Sequence, residues 1–514
     1  PQQLMNSQAS EVAIATTSQL ASDAAAEIAE LGGNAVDCGI AASLCSINTQ
    51  PGVCALAGGG FVTVWDPNGS PITIDGNVAV PGIGLAKDAD MKVESVSLEY
   101  GGGVTTLVGA ASVATPGTLA ALFLASQRYG HLPWRELMQP TIRAINAGFP
   151  LASACQYYLT FSGDVIYGRS SDGHGALHDE SGKLLDAGAP IHVPHLADTL
   201  AAIADEGDRL FYEGEIGRKM TEHVAEGGGL LTMEDLQNYS PDIHDALLID
   251  VGQWQIGVNP LPAIGGVNLA AMLHCFGTEP IDGWTQENLR RLVETQEAVM
   301  SFRNQNLDTA EDVSAPAQEM LNLAKNGELA SRYASGSTVH TSAVDDTGLA
   351  CSITASSGYG SGEMPNNTGL WLNNCLGELE LNRNGLDAGP PGKRLPSNMA
   401  PGCARAPGKV LAFGSPGADR ITTALHQFLV NFMQLDLDMH HAVALPRIHL
   451  KIDGETRDIA FEPGINMPDL QCSTTRYDDI SMYFGGVVAA LYENGGFEAA
   501  ADPRREGGTV ITLR

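Results

Sequence analysis

The stretch Thr338-Val339-His340-Thr341-Ser342-Ala343-Val344-Asp345 follows the small, polar run Ala334-Ser335-Gly336-Ser337 and marks a change of character along the 514-residue chain. Its β-branched residues and period-two alternation predict a strand over 338–344. Asp345-Asp346-Thr347-Gly348 reads as a turn and 349–354 as the returning strand. Alternation puts Thr338 and His340 on one side of that strand, where His340 is expected to give structural support. A threonine that opens a strand is common, so its meaning depends on the rest of the chain.

Upstream, residues 18–46 read as two Ala-rich helices broken at Gly32-Gly33, and Gly58-Gly59-Gly60 leads into a β-type run ending at Trp65. Asp66-Pro67-Asn68-Gly69 then turns into Pro71–Asp75. Helical patterns follow over 116–128, 133–147, 196–206, 213–226 and 285–303, whereas the Gly-, Asp- and Ser-rich 163–192 reads as a surface excursion. Downstream, 369–374 and 408–414 are expected to form a hairpin-like pair, 382–398 a loop, and 421–435 a helix, with β-rich pieces at 446–462 and 508–513. Helices and strands each lie in groups, which predicts an α+β arrangement and not an alternating doubly wound sheet.

Sixty acids against 28 Lys and Arg leave a formal charge of -32. Such a surface repels phosphate backbones and anionic lipid, so neither nucleic acid nor membrane is an expected partner. No run of about 18 apolar residues suggests a membrane span. The nine cysteines form no CxxC pair or metal-ligand spacing, which points to reduced thiols and a cytoplasmic location, although a signal peptide already removed would leave the same picture. His174 and His178, His192 and His195, and the remaining histidines lack a pattern that would align them as ligands, so no metal is expected. The Gly58–Gly60 cluster lacks both the GKS/T ending and the GxGxxG spacing of a phosphate loop.

A series of stretches, in order, resembles the γ-glutamyltranspeptidase family over nearly the whole chain. They are Leu31-Gly32-Gly33-Asn34-Ala35-Val36-Asp37, Gly58-Gly59-Gly60-Phe61, Ser112–Thr118, Tyr129–Trp134, Phe211-Tyr212-Glu213-Gly214 and Gly228–Leu236. Beyond them come Thr338-Val339-His340, Thr368–Asn374, Gly392–Met399 and Gly414-Ser415-Pro416-Gly417-Ala418-Asp419-Arg420-Ile421. The resemblance implies a four-layer αββα sandwich of the N-terminal-nucleophile type, made as one precursor and cut between Ser337 and Thr338 into a large subunit, 1–337, and a small one, 338–514. Thr338 aligns with the family's nucleophile, its freed α-amine serving as base for its own Oγ. No cofactor is implied. The oxyanion donors would be the N–H groups of Gly417 and Ala418, where the family usually has two glycines; the alanine keeps its N–H, so the hole can survive provided φ stays negative there. A second hydroxyl normally supports the amine, with Thr354 and Ser356 as candidates and Ser356 preferred by count.

The resemblance breaks in the substrate pocket. Asn77 stands where the family's carboxylate-binding arginine is expected, and no Arg or Lys occurs between residues 1 and 86. Removing one side of a buried charge pair costs roughly 2–5 kcal/mol, enough to change the preferred substrate. Ser397-Asn398 replace a pair of serines, Cys375 stands at an acidic or amide position, and Glu378 replaces the amine-binding aspartate. The expected activity is therefore hydrolysis of a small-molecule amide whose acyl group is not glutamyl, as in oxamate amidohydrolase-like and cephalosporin-acylase-like relatives. A true γ-glutamyl hydrolase or transpeptidase, with Asn77, Ser397 and Glu378 binding the donor, is the alternative; an uncleaved, non-enzymatic relative is the second. A homo-oligomer is compatible with all three.

Overall fold

A computed structural model describes residues 10–86, 91–100, 103–308, 310, 312–326, 328–329, 338–418, 420–453 and 456–513. Thirteen strands build its two central sheets: β1 (Val12–Thr16), β2 (Gly59–Trp65), β3 (Ile72–Gly76), β4 (Asp242–Asp245), β5 (Leu247–Val251), β6 (Trp254–Val258), β7 (Val339–Asp345), β8 (Ala350–Ser356), β9 (Gly402–Ala406), β10 (Lys409–Gly414), β11 (Val488–Glu493), β12 (Gly496–Ala501) and β13 (Gly508–Thr512). The first sheet runs β13-β1-β7-β8-β2-β3-β4 and the second β12-β11-β10-β9-β6-β5. Neighbouring strands are antiparallel throughout both.

The two sheets face each other across a thin layer of small side chains. Ala13, Ala15 and Ala350 from one side meet Cys403, Ala412, Ala490 and Ala499 from the other. Helices cover the outer faces. Gln19–Glu30, Ala35–Thr49 and Thr118–Tyr129 pack on the first sheet, with Trp134–Ala147 behind them; Gly265–Phe276 and Arg420–Leu429 cover the second, with Gln286–Asn306 and Ser314–Asn326 packed against Gly265–Phe276. This is the expected αββα sandwich. The central strands are buried on both faces, which is why β7 and most of β8 present no solvent-facing row.

Several recognised stretches have plain structural work. Asn34 caps Ala35–Thr49 by accepting from Val36 and Asp37 N–H, while the Asp37 carboxylate takes Asn34 N–H in return. Thr232 and Asp235 form the same reciprocal cap on Met233–Asn238.

The helix expected over 285–303 is Gln286–Asn306, and that over 421–435 is Arg420–Leu429 followed by a π-turn. The 369–374 stretch is not a strand: beyond one bridge from Leu372 to Ala57 it has no ladder. β10 pairs instead with β9 and β11. The excursion 163–192 contains a short helix, Ser171–Leu177, that buries Leu177. Among the described residues no helix is long and apolar enough to cross a membrane.

Candidate active site

Thr338 precedes β7 directly and is buried. The β7–β8 register, Val339 opposite Ala355 and His340 opposite Thr354, continues by one step to set Thr338 across from Ser356. Ser356 in turn pairs with Gly59 of β2. Thr338, Ser356, Asn77, Cys375, Glu378, Ser397, Asn398 and Ala418 all line one cleft, with Val78, Leu381, Leu395, Pro396, Met399 and Ile421 as its apolar wall. The first sheet thus supplies Thr338 and Ser356, the chain leaving β3 supplies Asn77, the turn after β10 supplies Ala418, and the loops between β8 and β9 supply Cys375, Glu378, Ser397 and Asn398.

Thr354 lies elsewhere. Its hydroxyl meets His340 Nδ1 at 2.7 Å. On the ring's other side, His340 Nε2 meets Ser342 Oγ at 2.9 Å, and Ser342 Oγ donates to Val488 O. Because the Ser342 proton is committed to that carbonyl, Nε2 carries the ring hydrogen and Nδ1 accepts from Thr354. Thr354 therefore braces His340 and is not among the residues that line the cleft with Thr338. Burial holds the imidazole down at about 3, so it stays neutral. A Cβ on Gly414 would lie 2.1 Å from the ring, which makes glycine obligatory there. Ser352 Oγ also donates to Phe413 O. This chain of hydroxyls and imidazole rivets β7 and β8 to β10 and β11. Sequence reasoning gave His340 a supporting part but missed Ser342 and Ser352. The signal was available in the polar residues recurring at every second position, 338-340-342 and 352-354-356.

The turn Gly414–Ala418 lies between β10 and the helix Arg420–Leu429. Carbonyls of Gly417 and Ala418 accept from Arg420 and Ile421 N–H, whereas no described residue accepts from the Gly417 or Ala418 N–H. The helix N-terminus adds positive potential at the same place. The condition of a negative φ at Ala418 is not met. Its φ is +70°, next to +119° at Gly417. Both residues sit where the chain favours glycine, so Ala418 carries strain that its surroundings must hold.

The recognition side is loop-built and tightly stapled. Asn373 Oδ1 accepts from Ala114 and Cys375 N–H while its amide donates to Ala57 O and Ala114 O; Asn374 donates to Thr106 Oγ1 and Leu107 O. These bonds fix the segment that carries Cys375 and Glu378. Glu378 is pushed up to about 8 by burial and by the neighbouring Glu380 charge, the Cys375 thiol acting weakly the other way. At neutral pH it is mostly a neutral acid. Asn77 spends an amide N–H on Leu395 O at 2.7 Å. Ser397 Oγ accepts Met399 N–H, which leaves its own proton to donate. No lysine or arginine lines the cleft among the described residues. Arg394, next to Leu395, turns away over the Tyr239 ring and donates to Ser240 O and Asp242. The described residues hold no cluster of His, Cys, Asp or Glu suited to a metal ion.

The gamma-glutamyltranspeptidase profile matches residues 21–512. The glutathione hydrolase proenzyme of Pseudomonas aeruginosa is 28% identical over 97% of this chain and 94% of its own length. That of Escherichia coli is 27% identical over 85% of this chain and 80% of its own. Among solved structures, the cephalosporin acylase from Bacillus halodurans covers 100% of this chain and 98% of that chain with a TM-score of 0.79 at 22% identity, a likeness of fold. Matched over almost its entire length, this chain belongs to the gamma-glutamyltranspeptidase family, whose members are hydrolases and transpeptidases of the N-terminal-nucleophile type.

Proposed function

We propose that Thr338, released as a chain terminus by scission of the Ser337–Thr338 bond, hydrolyses an amide whose acyl group carries no free carboxylate. The observation that supports the chemistry is the placing of Thr338 and Ser356 against the turn with unengaged Gly417 and Ala418 N–H groups; Ser337 itself lies outside the described residues.

A threonine hydroxyl is a poor nucleophile until a base takes its proton. The freed α-amine, with a reference pKa of roughly 7.7–8.0, has a useful neutral fraction near pH 7. Thr338 Oγ attacks the carbonyl carbon as its proton passes to the amine, and the negative oxygen accepts from Gly417 and Ala418 N–H. Collapse breaks the C–N bond, and the leaving nitrogen takes the proton back. Water then attacks the Thr338 ester with the amine again as base, releasing the acid and restoring the hydroxyl. Before scission that nitrogen is an amide and cannot act so. Ser356, across from Thr338, is the hydroxyl placed to support the amine. Losing one oxyanion donor costs on the order of 2.7–4 kcal/mol of barrier.

The choice of acyl group follows from the cleft. No lysine or arginine among the described residues lines the cleft to grip a substrate carboxylate, whereas Ser397 can donate to a neutral carbonyl and the apolar wall can take hydrocarbon. The γ-glutamyl alternative draws on the glutathione hydrolase relatives and on Glu378 as an amine acceptor. A screen of γ-glutamyl, dicarboxylic monoamide and long-acyl p-nitroanilides separates the readings, and clear preference for the γ-glutamyl compound would overturn ours. Thr338→Ala is expected to remain one intact chain and to lose at least about 10⁴-fold in turnover. Active, cleaved Thr338→Ala protein would remove the nucleophile assignment.

A further inference from the structure

We propose that Ser415 is a positioning residue for this reaction, fastening the oxyanion turn to the Gly485-Gly486 segment behind it; the inference rests on the reading of Thr338, Gly417 and Ala418 given above. Ser415 is buried, and its hydroxyl works in two directions. Oγ donates to Pro416 O at 2.6 Å and accepts Gly486 N–H at 3.0 Å. The turn and the segment touch without side chains between them. A Cβ on Gly417 would lie 2.7 Å from Gly485 Cα, and one on Gly485 would lie 2.9 Å from Ser415 Oγ.

The segment is itself held rigidly from behind. Arg420 Nε donates to Tyr483 O and Arg447 Nη1 to Phe484 O, each at 3.0 Å. Asp502 Oδ2 accepts Val487 N–H at 2.8 Å and pairs with Arg447 Nη2 at 2.6 Å. Arg504 binds both Asp502 and Glu462. Two guanidinium groups and two carboxylates, all buried, thus balance one another with their hydrogen-bonding capacity directed at backbone. Such a group has no soft degree of freedom, because shifting one member would leave a buried charge unpaired. Ser415 is the hydroxyl that passes this rigidity to the turn. The turn needs it: Ala418 at φ +70° keeps that conformation only where its surroundings over-determine it.

Ser415→Ala removes both bonds with almost no change of volume. The test uses cleaved protein and the p-nitroanilide turned over fastest in the acyl screen. The expected result is a kcat 10- to 100-fold lower with KM within about twofold, because the N–H groups matter most when charge develops on oxygen. Affinity for a boronate forming a tetrahedral adduct should fall in parallel with kcat/KM. A lower Tm with unchanged kcat would show a purely structural role and overturn the proposal, as would a raised KM with unchanged kcat. Ser415→Cys keeps a weak donor and acceptor at that position and is expected to be intermediate; should the alanine variant not accumulate, wild-type kcat in the cysteine variant overturns the proposal instead. Thr338→Ala measured alongside separates the two claims: residual activity there sinks the nucleophile reading and this one with it, whereas an inactive Thr338→Ala beside a normal Ser415→Ala sinks only the positioning role.

Discussion

The two walls of the cleft are built on opposite terms. On the sheet side, His340, Ser342, Ser352 and Thr354 form a buried polar chain in which each bond has a partner, tied to carbonyls of β10 and β11. On the loop side, Glu378 is buried, no lysine or arginine lines the cleft beside it among the described residues, and burial and the Glu380 charge push it toward the neutral form. A satisfied network costs little and fixes geometry; an uncompensated acid costs stability and leaves chemistry open to a ligand. The contrast teaches that the Thr338 side, the proposed reaction machinery, is rigidly specified, while the loop side holds an acid that a ligand can compensate.

Breaking the sheet side should give the largest effect. His340→Ala leaves the Thr354 and Ser342 hydroxyls without the ring and opens a void against Gly414. A loss of about 3–5 kcal/mol in urea unfolding is expected, together with impaired processing. Near-normal stability would mean that the rivet between the sheets is dispensable.

The loop side should respond to pH. With Glu378 held up at about 8, the folded protein keeps a proton there that the unfolded chain releases near its ordinary value of about 4.3. The folded state binds more protons across that window, so this group lowers stability as pH rises through it. Glu378→Gln removes the slope. Relative to wild type, its stability is expected to gain on the order of a few kcal/mol between about pH 5 and pH 8. Parallel Tm curves for the two proteins would show that Glu378 ionises normally and that the contrast between the walls is overstated.

The smallest effect sharpens the seam between them. Ala418→Gly should relieve the positive φ and stabilise by about 1 kcal/mol, with kcat changed no more than a few-fold. Destabilisation would place the turn in another conformation.

The strand after Thr338 and its return were legible because period-two alternation flanked a four-residue turn. The failures have physical causes. Leu370-Trp371-Leu372 carries strand-like composition, but it is apolar because it is buried under loops, and its backbone bonds run to Glu363 and Ser361 instead of to a ladder. β9, Gly402-Cys403-Ala404-Arg405-Ala406, has little strand propensity and extends only because β6 and β10 flank it. Of the residues proposed for the site, Thr338, Ser356, Ala418 and the loop residues line one cleft. Thr354 and the φ of Ala418 did not follow, since one depends on a rotamer choice and the other on a backbone approach that no local pattern encodes.

The order of the first sheet carries one more consequence. Strands contributed by residues before 337 alternate with those after it: β7 and β8 are inserted between β1 and β2, and β13 seals the edge beyond β1. A backbone break at 337–338 would therefore yield two polypeptides braided into a single fabric. Neither could leave without tearing hydrogen-bonded ladders along its whole length, so the nicked protein should melt in one calorimetric step, and dilution should never liberate a lone fragment.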